Sequence, residues 1–459
     1  MAKSNNNISK KSTYSVVDTI KPNLFKDTFP YSEIPKVSFN NVHQPMDLPE
    51  SIWVTDTTFR DGQQSLSSFT VEQTVTLYDY LNKLDNNSGV IKQTEFFLYT
   101  EKDRLAVQAC MDREYKYPEI TSWIRAKKED LKLVKDMGIK ETGMLMSCSD
   151  YHIFKKLKMN RKEALNNYLQ IAEEALASGI KPRCHLEDIT RADFFGFVIP
   201  LVSNLMELSR KYKTEVKIRA CDTLGLGVPY VGVELPRSIP AIIHGLKYYC
   251  GVPSESLEWH GHNDFYLVVT NSTTAWLYGA SSVNATLFGI GERTGNCPLE
   301  AMLIQYAQLS GTMKNMNLNI ITEIAEYFQQ EMNYKIHPRT PFVGSEFNVT
   351  KAGIHADGLL KDEEIYNAFD TEKILNKPVV VAVNQYSGLA GIAAWINSYF
   401  RIKGVDKIQK NDPRVFQIKK WIDDQYDNGR TSSIRNKELK KIVEIYFPEL
   451  VNKGEVEAV

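Results

Sequence analysis

Two histidines one residue apart, His260-Gly261-His262, stand directly before Asn263-Asp264. On a β-strand alternate side chains share a face, so both imidazoles point the same way. Each offers a neutral nitrogen lone pair, which makes the pair half of a divalent-metal site. Far upstream, Asp61 lies within Asp56-Thr57-Thr58-Phe59-Arg60-Asp61-Gly62-Gln63-Gln64. A hard carboxylate from a second strand end would complete a His/His/Asp set with positions left open for substrate oxygens. Such a centre polarises a carbonyl as a Lewis acid. Alone, an HxH is as often a pair of surface or core histidines, and the upstream stretch could be a strand and a polar turn. The glycine-rich Gly289–Asn296 (GIGERTGN) follows the histidines closely, and the three together argue for a site.

Arg183, His185 and Glu187 alternate in a second stretch, so they too share one side of a strand. Three ionisable groups turned into a barrel would be costly to bury without partners, which favours function over packing. Asp188 has the opposite parity and is expected to order the following loop with Arg191. Arg125, in TSWIRAKKEDL, adds a cation near another strand end. Glu95 and Thr223 are polar at comparable positions, where a satisfied polar layer inside a barrel is an equally good reading.

These residues need a scaffold that brings distant strand ends together. Strands are expected over 51–55, 93–99, 119–126, 141–146, 181–187, 215–221, 257–262 and 282–287. Helical spacing appears over 70–84, 129–137 and 161–178, the last two closed by Gly138 and Gly179. Strand–helix alternation with polar residues just after the strands predicts an α/β fold, a TIM (β/α)8 barrel whose chemistry lies at the C-terminal strand face. Residues 1–50 read as a lead-in, 51–310 as the barrel, and 311–459 as a mainly helical region with helices over 320–331, 385–400 and 406–425.

The length of 459 residues suits a barrel plus an appendage, and 43% hydrophobic content supports a large core. A formal charge of −1 gives no argument for nucleic acid or an anionic membrane as partner. Six scattered cysteines without a CxxC read as reduced core residues of an intracellular protein. With a polar N-terminus and no long apolar run, a cytoplasmic location is expected.

The three motifs resemble the acyl-CoA condensing branch of the pyruvate-carboxyltransferase-like metal-dependent TIM barrels. That branch holds isopropylmalate, homocitrate and citramalate synthases and the Re-stereospecific citrate synthases, with hydroxymethylglutaryl-CoA lyase more distant. The resemblance runs from about residue 53 to residue 391. It implies Asp61, His260 and His262 as metal ligands, with Asn296 at or near the metal, and Mn²⁺, or else Co²⁺ or Mg²⁺, as the ion. It implies Arg60 as the group holding substrate carboxylate and developing alkoxide, where a loop-ordering salt bridge is the plainer alternative. Gln64, Glu95, Arg125, Arg183, His185 and Thr223 fall on substrate-side positions.

The resemblance further places Glu187 near proton transfer and makes the loop glycines Gly289 and Gly291 a seat for acetyl-CoA. His355, in Lys351-Ala352-Gly353-Ile354-His355-Ala356-Asp357-Gly358, matches an SGIHxDG-type motif, with Tyr366 beside it. In several relatives this arm reaches a partner's barrel, which implies a homodimer. Arg125, Arg183 and His185 suggest a second carboxylate on the oxo acid, since the arginine fork binds one bidentately. With the WIRAKKEDL stretch and HGHNDFY, the resemblance is greatest to the Re-type citrate synthases. The expected reaction joins acetyl-CoA to oxaloacetate, giving citrate and CoA. Homocitrate and isopropylmalate synthesis come next, and a retro-aldol acyl-CoA lyase is the reading from another class.

Overall fold

In the computed structural model, residues 14–351 and 353–450 are described. Residues 1–13 of the lead-in and Ala352 of the histidine motif lie outside them. The chain forms two compact units, divided between Met316 and Asn317.

The first unit is a closed barrel of eight parallel strands in sequential order. The strands are β1 (Trp53–Asp56), β2 (Ile91–Phe96), β3 (Glu119–Arg125), β4 (Glu141–Ser147), β5 (Lys181–Glu187), β6 (Lys217–Asp222), β7 (Leu257–Gly261) and β8 (Ser282–Ala285). Pairing of β1 with β8, Thr55 opposite Asn284, closes the ring. The second strand begins two residues before the expected start and ends at Phe96.

Eight helices surround the strands: α1 (Val71–Asp85), α2 (Glu101–Met111), α3 (Lys128–Asp136), α4 (Arg161–Ala177), α5 (Ile199–Tyr212), α6 (Ile239–Cys250), α7 (Val268–Leu277) and α8 (Leu299–Ser310). Their starts are written locally. Capping boxes open α1 (Thr70/Gln73), α2 (Thr100/Asp103) and α4 (Asn160/Glu163), each satisfying backbone N–H groups that a helix leaves free. Gly251, at φ +68°, closes α6 in a left-handed turn that glycine adopts without penalty.

Alternation divides each strand. Val54, Ile124, Met144, Leu186, Ile218 and Val283 are fully buried on the parity that packs against the helices. The opposite parity fills the barrel interior, and its lower part is charged. Arg183 hydrogen-bonds to Glu141, Lys217 reaches Glu141 at 2.7 Å, and Arg219 lies 2.7 Å from Glu258 and 3.0 Å from Glu95. Thr55 and Ser282 donate to the other Glu258 oxygen. Burial works to raise the Glu141 and Glu258 carboxyls, and the facing cations outweigh it, bringing each to about 2.

The second unit is mainly helical: α9 (Ile320–Gln330), α10 (Gly353–Lys361), α11 (Thr371–Leu375), α12 (Leu389–Tyr399), α13 (Pro413–Asp427) and α14 (Asn436–Tyr446). Ile392, Trp395, Ile396, Val415, Ile418, Ile422, Leu439 and Val443 form its core. The helix expected over 406–425 starts at Pro413, because Asp412 caps the Arg414 N–H and proline is favoured in the first turn. The apolar run at 379–383 (VVVAV) gives only the short strand Val380–Val381, paired with Val349–Thr350. Among the described residues, no helix is long and apolar enough to cross a membrane.

Candidate metal centre and its surroundings

The upper mouth of the barrel gathers the two motifs that open the sequence reading. After β1 the chain turns sharply: the N–H groups of Arg60, Asp61 and Gly62 all donate to the Thr57 carbonyl. A Cβ on Gly62 would lie 2.9 Å from Ile290, so glycine lets the turn meet the loop after β8. Thr58 Oγ1 accepts from Leu287 N at 2.9 Å and fixes that meeting. The turn carries Asp61 to β7, where His260 and His262 share one face.

Asp61 Oδ2 is 3.6 Å from each histidine Nε2, and the two Nε2 atoms are 3.3 Å apart. All three residues are buried, and among the described residues they form the one cluster of three or more such side chains able to hold a metal ion. Their protonation states suit that use. Burial pushes His260 down to about 3 and lowers His262, leaving neutral imidazoles. Burial would raise the Asp61 carboxyl, but the Arg60 guanidinium beside it holds it well below the carboxylate range. Asp61 Oδ2 has no hydrogen-bond partner, nor have His262 Nδ1 and Asn296 Oδ1. The Asp61 and Asn296 oxygens are orphaned buried acceptors, and a cation would remove their desolvation cost. Asn284 Oδ1 sits 2.8 Å from His260 Nδ1 and orients the ring, as metal-binding histidines require.

Arg60 pairs with Asp61 at 2.7 Å, while its guanidinium covers the Trp123 ring at 4.5 Å. Arg60 therefore orders the loop through Asp61, and its Nε faces Glu95 at 3.8 Å without a hydrogen bond. Glu95 is encircled, with Arg219 at 3.0 Å, His185 at 3.4 Å, and Arg60 and Arg183 each at 3.8 Å. A Cβ on Gly143 would lie 2.6 Å from His185 Nε2, so only glycine there admits the imidazole. Burial, with three arginines around it, keeps His185 well below its ordinary range and neutral.

Several expected site residues are placed differently. Arg183 stands in the lower charged level, where Nη2 donates to Gln93 and Glu141 and Nε faces Glu258 at 3.4 Å. Its start-of-strand position sets that depth. Arg125 turns away to Asp130, with bonds of 2.8 and 2.9 Å, and its side chain is 52% exposed. Trp123, two residues earlier on the same strand face, occupies the interior instead, with an unpartnered indole N–H. Gln64 is exposed; Gln63 braces the loop through the Phe59 carbonyl and the Phe69 N–H.

Gly289 gives its N–H to the Thr286 carbonyl and therefore has no donor to spare for a phosphate. Gly291 serves Asn296 instead: a Cβ there would sit 2.2 Å from Asn296 Nδ2. Thr223 Oγ1 accepts from Asp188 N at 2.9 Å, and its carbonyl accepts from Arg293. Asp188 is held by Arg191, as its parity suggested. Glu187 lies at the end of β5 with Ser147, His152 and Lys156 on its carboxylate. In the second unit, His355 and Tyr366 pack ring to ring at 4.4 Å. A Cβ on Gly358 would be 2.6 Å from Tyr366, so the glycine permits that packing.

Trp123, Arg219, Asn284 and His152 also face the site or its supporting layer. Arg219 and Asn284 carried the same signal as Arg183, a polar residue on the inward parity, but belonged to no motif. His152 lies on an irregular turn that periodicity does not mark.

Comparison with known proteins gives the family and the fold. Residues 51–328 match the HMGL-like family. The chain is 66% identical to the citrate (Re)-synthase of Clostridium kluyveri over 97% of this chain and 98% of that protein. It is 50% identical to the citrate (Re)-synthase of Syntrophus aciditrophicus, over 95% of this chain and 70% of that protein. In structure it is similar to hydroxymethylglutaryl-CoA lyase from Pseudomonas aeruginosa, with a TM-score of 0.50 and 17% identity over 63% of this chain and 96% of that one. That likeness concerns the barrel fold.

Proposed function

The chain belongs to the HMGL-like family, and from that premise we propose that it is an acyltransferase joining acetyl-CoA to oxaloacetate, with citrate and CoA as products. The observation that carries the reading is Asp61 Oδ2, a buried carboxylate oxygen without a hydrogen-bond partner, 3.6 Å from two neutral imidazole nitrogens while Oδ1 pairs with Arg60. Asp61, His260 and His262 would hold a divalent cation, Mn²⁺ by preference, with Asn296 at its edge. When bound, it supplies Lewis-acid polarisation of the ketone. High identity to two citrate (Re)-synthases supports oxaloacetate over 2-oxoglutarate and over branched oxo acids.

The chain's own residues then divide the work. Arg60, with its free Nε–H, binds the oxo-acid carboxylate and receives the charge that develops on the ketone oxygen. His185, held neutral beside Glu95, would face the second carboxylate. A methyl C–H bond of acetyl-CoA breaks, its proton passing into a network of Glu187, His355 and Tyr366. The resulting carbon attacks the ketone, the alkoxide takes a proton, and water cleaves the thioester to release CoA. Trp123 and Phe97, both against Arg60, help exclude water from this charge.

His355 and Tyr366 belong to the second unit, beside exposed Ile354 and Ile365. We assign the working form as a cytoplasmic homodimer in which this arm serves the partner's barrel. Inactive His260→Ala and His355→Ala chains, unfolded and reassembled together, should then recover up to about a quarter of wild-type activity, since random pairing makes half the dimers mixed. The test of the reaction itself is CoA release from acetyl-CoA against a panel of 2-oxo acids. Oxaloacetate should lead 2-oxoglutarate, pyruvate and 3-methyl-2-oxobutanoate, with citrate identified as product. Preference for another acid would overturn the assignment.

A further inference from the structure

After β4 the chain enters a π-helical turn, Tyr151–Lys156, wound one residue wider than an α-helix. Such turns gather at functional sites because they re-aim side chains. This one puts His152 and Lys156 on the same side, over the end of β5. His152 Nδ1 lies 2.9 Å from Glu187 Oε2, and Lys156 Nζ is 3.0 Å from both Glu187 oxygens. Ser147, the last residue of β4, also donates to Oε2.

The two carboxylate oxygens are therefore unequal. Oε2 receives Ser147, His152 and Lys156, whereas Oε1 receives Lys156 alone. We infer that His152 is a positioning residue for Glu187: it anchors Oε2 and leaves Oε1 as the atom that faces the reacting proton. This deepens the condensation reading and rests on it, since it assumes that Glu187 takes part in proton transfer from the acetyl group.

The surroundings support that division. Asp188, the other carboxylate near His152, is 3.7 Å from its Nε2 and is already committed to Arg191 and Ser149. Tyr168 on α4 donates to the Ser147 carbonyl at 3.1 Å, and Cys148 donates to the Glu187 carbonyl, so both are engaged with backbone. Cys221 of β6 is the residue paired across from Glu187. Burial raises the Glu187 carboxyl, but His152, Lys156 and Ser147 bring it down to about 2, which keeps it ionised throughout the neutral range. The side chains of His152 and Glu187 are 17% and 16% exposed, so the pair borders the open barrel mouth without being immersed in solvent.

The test compares His152→Leu, His152→Asn and Glu187→Gln in the intact enzyme. Asparagine can return an N–H donor to the place of Nδ1; leucine cannot. Turnover is followed with acetyl-CoA and with its methyl-deuterated form. His152→Leu should lower kcat about tenfold or more, as for a weakened proton-transfer group. Its KM for both substrates should stay near wild type, and its deuterium isotope effect should rise. Asparagine should restore much of kcat. The inference is overturned if His152→Leu keeps the wild-type kcat and isotope effect, or loses KM and thermal stability with the isotope effect unmoved. Should leucine fail to fold, His152→Gln, whose longer amide cannot set an N–H donor at the place of Nδ1, takes its place with the same expectations. An active Glu187→Gln would remove Glu187 from the mechanism and the inference with it. A dead Glu187→Gln beside a normal His152→Leu would overturn the positioning role alone.

Discussion

Two levels of one barrel interior are polar, and they are finished differently. In the lower level both oxygens of Glu141 and of Glu258 have donors, supplied by Arg183, Lys217, Gln93, Arg219, Thr55 and Ser282. The unpartnered atoms there, Arg183 Nη1 and Arg219 Nη2, belong to guanidiniums that already donate to a carboxylate through another nitrogen. At the mouth, Asp61 Oδ2, His262 Nδ1, Asn296 Oδ1, Arg60 Nε and Trp123 Nε1 are buried without partners. A carboxylate paired at both oxygens with a cation beside it is what a structural layer needs, because an unpaired buried charge is costly. Incomplete pairing in a rigid frame is what a binding site needs, because a ligand can then supply the missing partners. Glu95 and His185 mark the change of level.

The contrast breaks most severely if a charge is removed from the closed level. Arg219→Met takes the nearest cation from both Glu258 and Glu95 and should cost about 3–5 kcal/mol in urea unfolding. A loss below about 1 kcal/mol, the scale of an exposed pair, would show that the layer is not closed as described. Next in size is His260→Ala at the mouth. Turnover should fall roughly 10²–10³-fold, the scale of losing a main electrostatic stabiliser. Its unfolding midpoint should stay near wild type and its metal content should drop; full activity in chelator-treated protein would sink the metal reading.

Acid sharpens the same comparison. Glu141 and Glu258 titrate at about 2 in the folded chain, below their unfolded range. Their contribution is complete above the unfolded pKa of about 4.3 and is lost as pH falls toward 2. Unfolding free energy measured stepwise across that window should decline, and Glu258→Gln should flatten the decline. The smallest effect is expected at Arg125, whose exposed guanidinium is satisfied by Asp130. Arg125→Met should change stability by less than about 1 kcal/mol. Its KM for oxaloacetate should move little; a rise of about tenfold, or 1.4 kcal/mol, would return Arg125 to the substrate.

Much of the fold was written locally, in capping boxes, terminating glycines and the alternation of β4 and β5. Period-two spacing was enough to put His260 with His262 on one face, and Arg183 with His185 and Glu187 on another. The sequence by itself therefore determined the strand–helix order, the inward parity and the Asp61, His260, His262 donor set. Depth and partner choice were left to the tertiary structure. Alternation says which face a residue takes, whereas its height in a barrel depends on the stagger of neighbouring strands. That stagger brings Glu141 up to Arg183 and Glu258 up to Arg219, each from a strand that local pattern treats as independent. Arg125 and Trp123 share one parity, yet a nearby aspartate draws the longer side chain outward and leaves the indole inside. His152 reaches Glu187 only because the backbone after β4 winds as a π-turn, a conformation fixed by packing and not by any residue period.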